Sequence, residues 1–387
     1  MDKYQLWISS LPNVGNASIN KLIKEYGNPF YVYEAMRKRE EKIKDFLNES
    51  RYPKRAEGAF AFTEKYDIDV MFLKMMDKGI SFVTPEDSHY PERLRILDPL
   101  PYVLFFSGRL PENDVPAVAI IGARECSEYG TFAANAFGEG LAMAGVNIIS
   151  GMTRGIDGIG QRGALNAGGN TFAVLGSGVD VCYPSGNLRL YKEIKEKGGI
   201  LSIVPPGTQP SKALFPERNK IVSALSDIIL VVEARQKSGT TITVEYAMSQ
   251  NKEVYAVPGR LTDRLSDGCN VLIREGAGVA LSPEDILNEL SVIWNQRNPD
   301  SKRIIDAKAV SGKNRWIPPE DEGILKYVDF NPASAEEIHE KRIACEAGVP
   351  LAQTMSELML LCIEGKVVQV GTGYFYKNNP SLHNNTK

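Results

Sequence analysis

From Pro116 onward the chain repeats one pattern, a short continuous apolar run followed by an amphipathic segment. The runs are AVAII (117–121), NIIS (147–150), TFAVL (171–175), ILSIV (200–204), DIILVV (227–232), EVYAV (253–257) and GVAL (278–281). Their starts lie about 25–30 residues apart, the length of one strand-plus-helix unit. Apolar strands alternating with helices predict a mostly parallel sheet covered on both faces. The fold class is therefore α/β, with a Rossmann-like, doubly wound sheet over 65–296.

The flanks follow other periods. In LPNVGNASINKLIKEYG, a Pro-Asn-Val-Gly turn precedes Ile19, Leu22 and Ile23 at helical spacing. This predicts a small helical N-terminal domain, 1–64, of the SAM or helix-hairpin-helix kind. The run YEAMRKREEKIKDFLNESRYPKR is charged on a helical pattern and reads as a solvated face. A proline-rich connector, with Pro99 and Pro101 as an elbow, leads to a strand at 102–106. Polar RNPDSKR and KNRWIPP mark a linker over 297–319. Over 320–377, three helical stretches precede KVVQVGTGYFYK, a hairpin with Gly371 and Gly373 at its turn. That order resembles a small winged helix. Its last helical stretch, PLAQTMSELMLLCIE, holds no Lys or Arg. The polar end, 378–387, reads as a disordered tail.

Net charge is -3, so any anion site must be local rather than spread over the chain. The five cysteines, Cys126, Cys182, Cys269, Cys345 and Cys362, are widely spaced and lack CxxC pairs. They suit a reducing, cytoplasmic setting and argue against disulfides or zinc. No basic start followed by a long apolar run is present, so neither a signal peptide nor a membrane span is expected. His89, His339 and His383 are the only histidines. Histidine catalysis and metal binding are poorly supplied, and no cofactor is expected.

In a parallel α/β sheet, ligands bind beyond the carboxyl ends of the strands. The first such loop offers Gly122, Arg124 and Ser127, and the second Gly151, Thr153, Arg154, Gly155 and Asp157. The third offers Gly176, Gly178 and Asp180. The fourth is a long loop with Lys212, Phe215, Arg218, Asn219 and Lys220 close together before a helix. The fifth carries Glu233, Lys237, Ser238, Gly239 and Thr240. Glycines let backbone N–H groups approach phosphate, helix N-termini add positive potential, and arginine adds a fork matching phosphate oxygens. An aromatic such as Phe215 among cations suits a strand of phosphates and bases. The plainer alternative is that Phe215 plugs the core and the cations are solvated. Asp157 and Asp180 read as loop supports. The chain lacks G-x-G-x-x-G after its first strand, a Walker A loop and a G-x-S-x-G elbow.

The motifs IIGARECSEYG, IISGMTRGID, FAVLGSGVDVCYPSGN, FPERNKIVSALSDIILVVEA, KSGTTITVEYA, VYAVPGR and GCNVLIREGAGVAL occur in this order over about 115–281. Together they closely resemble the bacterial DNA-processing protein A (DprA/Smf) family. The resemblance implies a non-enzymatic, single-stranded DNA-binding protein that helps load the RecA recombinase, usually in natural transformation. A cytoplasmic homodimer is expected. By resemblance, the family's phosphate-binding arginine falls on Arg124. Its F-P-x-R-N-R loop falls on Phe215, Pro216, Arg218, Asn219 and Lys220. Lys220 stands where that motif has arginine, Gln161 where the family usually has histidine, and Ile203 where it often has glutamate. Two other functions compete. SGTTITVEYA loosely resembles the loop of lysine-decarboxylase-like phosphoribohydrolases, with Glu245 as candidate acid, although the paired glycines are missing. A structural adaptor is the third.

Overall fold

A computed structural model describes residues 1–48, 55–297, 324, 327, 328, 333–346, 348–363, 367–370 and 374–377. The chain divides into two compact units, Met1–Lys313 and Asn314–Lys387.

Among the described residues, the first unit opens with six helices: α1 (Lys3–Ser9), α2 (Asn16–Tyr26), α3 (Pro29–Arg37), α4 (Glu41–Asn48), α5 (Arg55–Lys65) and α6 (Ile68–Asp77). Asp2 and Gln5 form a capping box on α1, and Asn28 caps α3 with Pro29 at its first position. Trp7, Leu22, Met36, Ile43 and Phe60 form a cluster that continues into Phe82, Phe105 and Ile200 of the sheet. The helices therefore pack on the sheet with a shared core. The helical layer also runs past residue 64, through α6. Val70, Met71, Phe72 and Leu73 are consecutive apolar residues without helical period, which hides this helix in the sequence.

The sheet comprises β1 (Ser81–Val83), β2 (Leu104–Gly108), β3 (Ala117–Ile121), β4 (Asn147–Ser150), β5 (Thr171–Val174), β6 (Gly199–Ser202), β7 (Ile228–Val231), β8 (Glu253–Ala256) and β9 (Gly278–Val279). Their order is β1-β2-β6-β5-β4-β3-β7-β8-β9. From β6 to β9 every pairing is parallel, whereas β1 and β2 add an antiparallel edge. Each apolar run in the sequence forms a strand, trimmed or shifted by a residue or two at its ends. The connecting helices are α7 (Glu128–Met143), α8 (Ile156–Asn166), α9 (Leu188–Lys197), α10 (Leu214–Leu225), α11 (Gly239–Ser249), α12 (Asp267–Arg274) and α13 (Pro283–Arg297). A Cβ on Gly138 of α7 would overlap the Gly160 carbonyl of α8, so these helices meet backbone to backbone.

Two features position the site. The strand order reverses at β3, which pairs with Ile149 of β4 on one side and Ile229 of β7 on the other through Ala119. A crevice opens at such a switch point. Further, Phe215, Pro216, Arg218, Asn219 and Lys220 lie in the first turns of α10, not in the preceding loop. Pro216 does not break this helix because the first-turn N–H groups have no intrahelical partner to lose.

In the second unit the described residues form helices Ala335–Ile343 and Leu351–Ile363 and three strands, Ala333–Ser334, Val367–Val370 and Tyr374–Lys377. The last strand pairs antiparallel with both others. Ser334 and Glu337 make a capping box, and Ile338, Leu358, Val367 and Phe375 form the core. Gly371 and Gly373, the linker from 298 to 319 and the tail 378–387 lie outside the described residues.

One buried ion pair ties the lead-in to the sheet. Arg93 contacts Asp227 at 2.9 Å, and Asp227, 1% exposed, also accepts from the Ala117 N–H at 2.9 Å. Removing the acid takes the carboxylate from a largely covered guanidinium, which keeps only the Glu112 and Val115 carbonyls as acceptors. Asp227→Ala should lower stability by about 3–5 kcal/mol in urea unfolding. A loss under about 1 kcal/mol would show that the pair is effectively solvated.

Candidate nucleic-acid interface

The switch point holds a cleft of about 540 Å³. The loop after β3 forms one wall. Its Ala123 N–H donates to the Glu233 carbonyl at 2.7 Å, and the Ile156 N–H donates to the Ala123 carbonyl at 3.1 Å. A Cβ on Gly122 would fall 2.7 Å from the Glu233 carbonyl oxygen, so glycine permits this close approach. Pinned through Ala123, the loop presents Arg124 as an exposed cation.

Phe215 stands on the opposite wall, half-buried in the first turn of α10. The Arg124 guanidinium lies 5.5 Å from its ring centroid and that of Arg218 lies 5.9 Å away. Tyr183, 45% exposed, sits 5.9 Å from Phe215 with planes tilted by 38°. Gly176 underlies the ring, since a Cβ there would come within 3.1 Å of it.

Arg218 and Asp157 form the floor, at 4% and 6% exposure. The Arg218 Nη1 donates to the Val174 carbonyl at 3.0 Å. A side chain on Gly151 would overlap this guanidinium. Burial lowers the Arg218 pKa, and the Asp157 charge opposes that shift. Burial likewise raises the Asp157 pKa, against Arg218, the Thr153 hydroxyl and the backbone N–H groups of Thr153 and Gly122.

The N-terminus of α11 closes the cleft. Ser238, its N-cap residue, makes no side-chain capping bond, and its buried Oγ has no hydrogen-bond partner. Gly239 and Thr240 follow at the lining, and Lys212 and Asn219 complete it.

Of the residues singled out in the sequence, Gly122, Arg124, Gly151, Lys212, Phe215, Arg218, Asn219, Ser238, Gly239 and Thr240 line this cleft. Thr153, Asp157 and Pro216 line it too, and Gly176 lies under the Phe215 ring; the remaining ones lie elsewhere. Ser127 donates through both N–H and hydroxyl to the Glu233 carboxylate and caps α7 through the Gly130 N–H. Burial pushes the Glu233 carboxyl up. Gly155, at φ +71°, starts α8 against the Ala123 carbonyl, with Arg154 exposed beside it. Gly178 packs against Gly207. The Lys220 ammonium donates to the Asp98 carbonyl at 2.8 Å. Lys237 is exposed next to Ser238.

Arg235 and Glu125 line the cleft without having been singled out. Arg235 follows a strand end as Arg124 does, and that equivalence was the available signal. Glu245 is exposed on α11 and is not among the lining residues. Gln161 is a buried brace, donating to the Thr171 hydroxyl and the Phe172 carbonyl, each at 3.1 Å. Ile203 packs on the core. Among the described residues no cluster of three or more His, Cys, Asp or Glu could hold a metal. No helix among them is long and apolar enough to cross a membrane.

The arrangement is a local cationic cleft with open helix-terminal donors and an aromatic ring. Residues 81–291 match the family model described as DNA recombination-mediator protein A. The chain is 41% identical over 230 residues to DNA processing protein DprA of Streptococcus pneumoniae, covering 59% of this chain and 81% of that protein. It is 33% identical over 295 residues to Protein Smf of Escherichia coli, covering 75% and 76%. The X-ray structure of DNA processing protein A from Streptococcus pneumoniae superposes with a TM-score of 0.63 at 33% identity, over 75% of this chain and 98% of that one. DNA processing protein A from Helicobacter pylori, whose structure describes a single-stranded DNA binding mode, gives 0.50 at 32% identity, over 54% and 95%. With the family model matched from β1 into α13 and the cleft inside that span, the chain belongs to the DNA recombination-mediator protein A family.

Proposed function

We propose that the chain binds single-stranded DNA in the switch-point cleft and acts as a recombination mediator. In this reading it is not an enzyme. It shields an incoming strand and loads the RecA recombinase during natural transformation, as a cytoplasmic homodimer. The carrying observation is the convergence of Arg124, Lys212, Arg235 and the open end of α11 around Phe215. Cations and helix-terminal N–H groups suit phosphates, and the ring suits an unpaired base. The single-strand binding mode of the Helicobacter pylori relative supports the same ligand class. We assign the second unit, read as a winged helix, to partner contacts, because helix Leu351–Ile363 carries no Lys or Arg.

The direct test is affinity for single-stranded against duplex DNA across several sequences and salt concentrations. Single strands should bind more tightly, since a duplex hides its bases from Phe215. Affinity should fall with salt by a log–log slope of about -0.7 per neutralised phosphate. Equal affinity for both forms would overturn the reading.

Arg124→Ala should weaken single-strand binding and flatten the salt slope by about 0.7. Arg124 is exposed and packs on the Phe215 ring, so melting should change little. A sharp drop in melting temperature would instead make Arg124 a structural residue.

Phe215→Ala should weaken binding by about 1–3 kcal/mol with the salt slope unchanged, because a stacking surface and no phosphate contact is lost. Its half-buried ring should contribute less to stability than the about 3–5 kcal/mol of a fully buried phenylalanine. A variant that melts early yet binds normally once folded would remove the stacking role.

A further inference from the structure

We propose that the inner end of the cleft is a receptor for a terminal phosphate monoester, so that the protein grips a single strand by a phosphorylated end. This rests on the single-strand reading above and deepens it.

The cleft is graded from rim to floor. Arg124, Lys212 and Arg235 are exposed, whereas Arg218 and Asp157 are almost wholly buried. Donors lining it stand without acceptors. The Arg218 Nε and the Ser238 Oγ are buried with no hydrogen-bond partner, and no side chain caps α11. Buried donors left unpaired are destabilising and uncommon. Their meeting at one cleft points to a missing acceptor that offers several oxygens at once. A phosphate group at a helix N-terminus meets that description.

The depth favours an end over an internal link. An internal phosphodiester carries a nucleoside on each side, and both would have to follow it toward the buried Arg218. A cleft of about 540 Å³ is the size for one small-molecule group. A monoester has a single neighbouring nucleoside, which can stay at the mouth beside Phe215 and Tyr183. It also brings three free oxygens and a charge of about -1.5 to -2. Two acids line it: Asp157 is almost wholly buried, which favours its neutral form, and Glu125 is exposed at the rim.

The test uses the full chain bound to an internally labelled single strand. The competitors are short oligothymidylates with a 5′-phosphate, a 3′-phosphate or hydroxyls at both ends. One phosphorylated competitor should displace the probe about tenfold better than the hydroxyl-ended one. Its salt slope should be steeper by about 0.7 per added contact. The two phosphorylated arms identify which end is held. Ser238→Ala should reduce that preference to under about threefold, whatever happens to absolute affinity. Equal competition by all three, with the probe bound and displaced, overturns the end receptor and leaves single-strand binding standing. A preference that survives Ser238→Ala in full puts the contact elsewhere and also overturns it. A probe that does not bind at all removes the single-strand reading and this proposal together.

Discussion

The buried Arg218 guanidinium is the constraint from which the cleft takes its shape. A guanidinium at 4% exposure stays inside only because three neighbours accommodate it. The Val174 carbonyl accepts from it, Gly151 leaves it room, and Asp157 opposes the effect of burial on its charge. These partners come from β5, the loop after β4 and α8. The single side chain thereby sets the first turn of α10 against three other elements.

Phe215 follows from that anchor. It lies three residues before Arg218 on α10, so fixing the guanidinium inward places the ring over Gly176 and toward Arg124. Small residues matter here for what they leave out. Gly122, Gly151 and Gly176 each stand where a side chain would meet a backbone oxygen, a guanidinium or a ring.

The helix N-termini around the cleft are not equivalent. That of α7 is occupied, because Ser127 and the buried Glu233 carboxylate take its donors. That of α11 is open, with a Ser238 hydroxyl that finds no partner. An anion is attracted to a helix start only while the donors are unfilled. A chain of net charge -3 thus gathers several cations at one cleft without being basic overall.

The sequence by itself determined the sheet and most of its site-bearing loops. Short continuous apolar runs rich in β-branched residues, such as AVAII and DIILVV, suit a strand buried on both faces. The glycines after them mark close backbone approaches, which are local requirements. Helix α6 escaped because its exposed apolar residues erase the period. The tertiary structure alone decided which cations serve the cleft. Lys220 is drawn to a carbonyl 122 residues away, Arg218 is turned into the floor, and Arg235 arrives at the lining. It also decided that Ser127 caps α7 through Glu233, a contact across 106 residues, while Ser238 stays unpaired. The physical reason is that a strand or turn follows from neighbouring residues, whereas a polar side chain goes to its best available partner. That partner is chosen by the fold and not by the local sequence.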